Sequence, residues 1–227
     1  MARKILLFCG ILSSLLYVAM NIIGAMQWEG YSSLSQTISE LSGIGSPSRM
    51  LWIWLGILYQ LLVILFGWSI WDSGGRKRSL GMAGGLLLVY GVLGLAAPLF
   101  PMHLRGVERM LTDTMHKVLT TVTVALMLAA IGFGAAALEN RFRLFSTATI
   151  LVLLVFGALA GLDVPRIDAN LPTPWVGVTE RIAAGAFLLW VVVLAIALLR
   201  APAEEPRAVE NRSKLTPLPL RESPSRT

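Results

Sequence analysis

The chain has 227 residues, of which 56% are hydrophobic and only 14% charged, with mean hydropathy +0.71. That composition excludes a soluble globular domain and a disordered chain, and points to the membrane class. The net charge of +6 and pI near 10.0 would suit a nucleic-acid partner. However, the basic residues stand in short groups between apolar stretches, where membrane orientation explains them and no nucleic acid is needed.

A span needs about 20 apolar residues to cross roughly 30 Å of hydrocarbon. Six stretches qualify: Ile5–Met26, Met50–Trp71, Leu80–Ala97, Thr114–Leu138, Leu144–Leu162 and Gly177–Leu199. Without water to satisfy bare backbone, such segments must be helices. The expected fold is an all-α integral membrane protein, residues 1–199, with six transmembrane helices in one bundle. Arg3 and Lys4 precede the first stretch, but its apolar run is too long for a signal-peptide core and no small-x-small site closes it, so it reads as a retained anchor. Cys9 lies alone in that span and forms no intramolecular disulfide.

The first loop reads "GYSSLSQTISELSGIGSPSR" over 30–49. Tyr31, Leu34, Ile38 and Leu41 recur at steps of three and four, which predicts a short interfacial helix over Ser33–Ser42. Ser33 and Gln36 have capping-box spacing, and Gly43, Gly45 and Pro47 supply a stop. Leu34, Ile38 and Leu41 should face the bundle, leaving Ser35, Gln36, Ser39, Glu40 and Ser42 toward water or a pocket. The spacing of charges does not resemble a lysine-rich helix that seeks anionic lipid.

Further along, Gln60 sits midway along the second span and is expected to bond across helices. Gly81 with Gly85, and Gly157 with Gly161, are four apart and let backbones approach closely, either within the bundle or in a homodimer. Pro98 and Pro101 mark the exit of the third span. Then "HLRGVERMLTDTMHKV" (103–118) holds both histidines. Asp113 and His116 are three apart and share a helical face; Asp113 is also placed to N-cap the fourth span, and Lys117 to snorkel. In "WVGVTERI" (175–182), Glu180 and Arg181 fall inside an apolar run, where ionisable groups cost about 2.5–3.5 kcal/mol each and usually pair, here with Asp113 or Asp163 as candidates.

Orientation follows from the basic residues. Arg3, Lys4, Arg76, Lys77, Arg78, Arg141, Arg143 and the six in the tail lie on one side if all spans cross, 13 of the 19 in the chain. The positive-inside rule puts that side, and both termini, in the cytoplasm of a cell-membrane protein. Trp28, Trp52, Trp54 and Trp175 then fall near the outer boundary, with Trp68 and Trp71 near the inner one. The segment 200–227, with five prolines and mixed charge, is expected to be a disordered cytoplasmic tail.

His103, Asp113 and His116 are ligand types suited to zinc or iron. HExxH, GxGxxG, P-loop and GxSxG signals are all missing from the sequence, so no metal and no cofactor are expected. The strings "YSSLSQTISELSGIGSPSR" (31–49), "FPMH" (100–103), "DTMHKV" (113–118) and "GVTERI" (177–182) resemble the uncharacterised prokaryotic domain-of-unknown-function family 998. The resemblance spans roughly residues 5–199 and implies a multi-span membrane protein without an established reaction. Where that family carries an acid after Phe-Pro, this chain has Met102 and His103. Ser39, Asp113 and His116 are also similar to part of the Ser, Asp and three-His zinc set of the alkaline ceramidase and progestin receptor superfamily, which has seven spans and one more histidine.

Two classes of function remain open. In the first, Ser35, Ser39, Glu40, Asp113, His116, Glu180 and Arg181 form an outer mouth that binds a lipid headgroup or small amphiphile, as a sensor, accessory factor or carrier. In the second, the protein is an intramembrane hydrolase or transferase acting on a lipid, which needs a nucleophile or activated water beside a base. The charges are present and a nucleophile–base pair is not evident, which favours membrane lipids as partners.

Overall fold

A computed structural model describes residues 2–73 and 77–201. The expected tail from 202 onward and Arg76 of the second loop lie outside the described residues. Six helices are long and apolar enough to cross a membrane. They are α1 (Ala2–Met26), α2 (Arg49–Ser73), α3 (Arg78–Gly94), α4 (Leu111–Ala137), α5 (Asn140–Leu162) and α7 (Val176–Arg200), with the short α6 (Val164–Asp168) between the last two. The observed ends differ from the expected spans by a few residues, as fraying termini and caps allow.

Helices adjacent in sequence pack side by side, and α7 closes the ring by lying against both α5 and α1. Beyond Arg181 this helix is apolar on every side, as a membrane span can be, with one face buried and Leu189 exposed. Its Trp190 and Leu194 are fully buried, and Phe187 nearly so. The indole Nε1 of Trp190 donates to Ser146 Oγ of α5 at 3.0 Å, so the largest buried side chain leaves no polar atom unmet. Between the neighbouring α2 and α3, the hydroxyls of Tyr59 and Tyr90 bond at 3.0 Å.

Small residues set the spacing at particular crossings. A Cβ on Gly67 would lie 2.7 Å from Leu88 N, and one on Gly84 would lie 2.5 Å from Trp71 N, so α2 and α3 touch backbone to backbone. Three of the four glycines singled out by four-residue spacing make no such contact. Gly85, Gly157 and Gly161 face open space, because spacing alone does not say which side of a helix meets a neighbour. Gln60 packs against Gly94 of α3, yet its Oε1 has no hydrogen-bond partner among the described residues, so the expected cross-helix bond is not made.

In the first loop the expected short helix is present but confined to the second half of Ser33–Ser42. Turns run from Tyr31 to Ile38, and only Ser39–Ser42 coils, as a 3-10 segment. Ile38 and Leu41 are buried as expected, but Leu34 is 57% exposed and Glu40 only 1%. Side-chain hydrogen bonds override the helical period here. Gln36 Oε1 accepts the Ser32 N–H at 2.8 Å, and Glu40 Oε2 accepts the Thr37 N–H at 2.7 Å, closing turns in place of a capping box begun at Ser33.

Candidate functional site

The loop segments at one end of the bundle form a cap held by three polar joints. The first binds the serine-rich loop to the start of α7. Gly177 stands where a Cβ would come within 2.4 Å of both Ser33 O and Gln36 O, so only glycine lets the loop descend onto the helix. There the Leu34 carbonyl accepts the N–H groups of Gly177 and Val178 at 3.0 and 3.3 Å, satisfying first-turn donors that a helix cannot satisfy itself. Glu180 Oε2 accepts the Ile38 N–H at 2.6 Å. Arg181 Nη1 donates to the carbonyls of Ser33, Gln36 and Gly177, and its Nη2 to the Tyr31 hydroxyl at 2.6 Å. Tyr31 in turn donates to Thr37 O at 2.8 Å, and burial pushes its phenol above the ordinary tyrosine value, keeping the donor in place. Thus neither Asp113 nor Asp163 is the partner of Arg181; Asp163 lies 3.8 Å from Arg166.

A second joint centres on Arg105. Its Nε and Nη2 grip Glu40 at 2.8 and 3.1 Å in the two-pronged geometry a guanidinium favours. The remaining nitrogen donates to Thr173 Oγ1 at 2.7 Å, while Nη2 also reaches Ser35 O at 2.9 Å. Glu40 therefore does not point to water, as the helical reading expected. It is buried because Arg105 and Thr37 meet its oxygens. Ser35 enters through its carbonyl, and Ser39 only through its carbonyl to Ser42 Oγ.

The third joint ties the loop after α3 to α4. Asp113 is the third residue of that helix, not its N-cap; its Oδ2 accepts the Met110 N–H at 2.8 Å. The same carboxylate accepts the His103 N–H at 2.7 Å and His103 Nδ1 at 2.9 Å. His103 must carry its proton on Nδ1, since a carboxylate only accepts. Arg109 stands over Asp113 and donates to the carbonyls of His103 and Ile167. Lys117 does not snorkel but bonds Asp168. His116 Nδ1 donates to Phe100 O at 3.0 Å, so it shares a helix with Asp113 without sharing its bond.

The His103–Asp113 pair orients an imidazole as a general base requires, but no serine, threonine or cysteine side chain bonds His103 among the described residues. Nor, among those residues, do three or more His, Cys, Asp or Glu side chains group as a metal ion needs. What the cap does roof is a groove of about 320 Å³ between α1 and α7. Its walls are Val18, Ile22, Ala184 and Leu188; its polar residues are Asn21, Ser33 and Arg181. Asn21 Oδ1 has no hydrogen-bond partner, and Arg181 forms no ion pair, among the described residues.

Of the seven residues expected at the mouth, Arg181 alone lines this groove; Glu180 is its neighbour, and Asp113 and His116 belong to the third joint. Arg105, Arg109, Thr173, Asn21 and Tyr31 were missed as partners. Arg105 and Arg109 did carry a signal: they are basic residues in a loop on the side that positive-inside orientation depletes.

No curated protein and no solved structure matches the chain. The family described as "Protein of unknown function (DUF998)" matches residues 11–197. The strings that resembled it meet in pairs in the cap, "GVTERI" under the serine-rich loop and "DTMHKV" under "FPMH". The chain is a multi-pass membrane protein and belongs to the DUF998 family.

Proposed function

We propose that the protein binds a membrane amphiphile in the groove between α1 and α7, with an anionic headgroup beneath the cap and its apolar chain along Val18, Ile22 and Leu188. The observation that carries this reading is the pairing of an apolar cleft with an arginine at its polar end that forms no salt bridge among the described residues. Its volume of about 320 Å³ falls within the roughly 300–1,000 Å³ of ligand sites. With Nη1 held by the loop carbonyls and one Nη2 proton by Tyr31, the guanidinium keeps Nε and the second Nη2 proton for a phosphate or carboxylate. Asn21 adds a carbonyl for a hydroxyl or amine of the headgroup. With 13 of 19 basic residues on the opposite side, the cap faces outward and both termini are cytoplasmic, so the amphiphile comes from the outer leaflet. A sensor, accessory factor or carrier fits such a site; a reaction would need a nucleophile beside the His103–Asp113 pair.

Gly185 provides the test. It lines the groove, and a Cβ there meets nothing within 4 Å. Gly185→Leu fills the cleft without disturbing the bonds of the cap. Native mass spectrometry of protein purified from membranes should show co-purifying lipid on the parent chain and its loss from Gly185→Leu at unchanged melting temperature. Equal lipid occupancy in both would remove the groove as a binding site.

A further inference from the structure

At the opposite end of the same α1–α7 seam lies a second cavity, of about 280 Å³. Arg3 and Lys4 reach it from the start of α1, and Arg200 from the last turn of α7. Its floor is apolar, made by Leu7, Leu198 and Leu199. Among the described residues, no acidic side chain lines it. Arg3 Nε donates to Ser73 Oγ at 3.0 Å, which holds that guanidinium beside the opening by a neutral partner. Lys4 and Arg200 form no ion pair among the described residues. Basic residues at span ends orient a protein without any need for a cavity. Here three cations from the first and last spans instead converge over a hollow with a hydrocarbon base.

We infer that this cavity is a binding site for the phosphate headgroup of an anionic phospholipid, independent of the capped groove. Charge complementarity selects the occupant: three cations that no carboxylate pairs among the described residues suit an anion, and a leucine floor suits a molecule whose polar head continues into acyl chain. Basic pockets between spans on the cytoplasmic side bind such headgroups by the same logic.

The test uses the full chain in detergent, with palmitoyl-oleoyl phosphatidylglycerol or the matching phosphatidylcholine added, and native mass spectrometry as readout. The parent chain should retain phosphatidylglycerol in preference to phosphatidylcholine. Replacing the three cations together (R3Q, K4Q, R200Q) should weaken that retention about tenfold or more, while the charge-preserving set (R3K, K4R, R200K) keeps it. Neutralising Arg78, Arg141 and Arg143, basic residues of the same side outside the cavity, should leave it intact. Gly185→Leu should also leave it intact, which separates this site from the capped groove. Equal losses in both glutamine sets would reduce the effect to diffuse attraction and overturn the proposal. So would displacement of the lipid by millimolar inorganic phosphate, which would mark a site for the free anion. A large rise in occupancy on deleting residues 202–227 would assign the cavity to the chain's own acidic residues instead.

Discussion

At the scale of single residues, the second joint of the cap depends on a buried carboxylate whose two oxygens are both partnered. Glu40 is 1% exposed and its carboxylate accepts four hydrogen bonds, two from Arg105 and two from Thr37. Breaking a buried pair by removing one partner costs about 3–5 kcal/mol, because the other is left charged and dry. Glu40→Gln and Arg105→Met should each lower detergent melting temperature strongly. The double variant should lose clearly less than their sum, and additive losses in that cycle would mean the two do not interact. Arg181→Gln should likewise loosen the loop, since it releases three carbonyls and the Tyr31 hydroxyl. The raised phenol of Tyr31 adds stability that is fully present below the ordinary tyrosine value and fades as pH rises through the folded one. Thermal stability should therefore fall more steeply above about pH 10 in the parent than in Tyr31→Phe. Individual partners of this kind were not legible in the sequence. The string "TER" announced that Glu180 and Arg181 had a purpose inside an apolar run, but their partners are loop backbone groups, which no side-chain pattern encodes.

At the scale of elements, the six spans were legible because hydrocarbon permits one solution for a long apolar segment, a helix. The serine-rich loop was not, since its period of three and four competes with serine, threonine and glutamine side chains that satisfy backbone locally. Two leucines of that supposed helical face now part company. Leu41 is fully buried and Leu34 is 57% exposed. Leu41→Ala should cost about 2–5 kcal/mol, whereas Leu34→Ala should stay within about 0.5 kcal/mol. Unfolding of the two variants in graded denaturing detergent measures both; similar losses would restore a helix with one buried face. The close meeting of α2 and α3 makes a comparable prediction. Gly84→Val should separate or unfold the pair, because the added carbon meets Trp71 N at 2.5 Å, while Gly85→Val, facing open space, should be neutral.

At the scale of the whole molecule, the seam between the first and last spans carries both proposed sites. The α1–α7 contact is bridged midway by Ser14 Oγ, which donates to Leu188 O at 3.1 Å, and it opens into a cavity at each end. That seam joins the first span to the last, so no window along the sequence contains it, and Asn21 could not be set beside Arg181 before the ring was closed. Topology is testable by labelling single cysteines in a Cys9→Ser background. Impermeant maleimide added to intact cells should modify Leu34→Cys in the cap and spare Asn140→Cys at the start of α5; the reverse pattern would invert the protein. The central claim, that the seam holds an amphiphile beneath the cap, is met most directly by a density map of the protein in lipid nanodiscs. The account predicts a continuous feature running from Arg181 and Asn21 down between Ile22 and Leu188. A groove that is empty, or closed by α1 moving against α7, would contradict it.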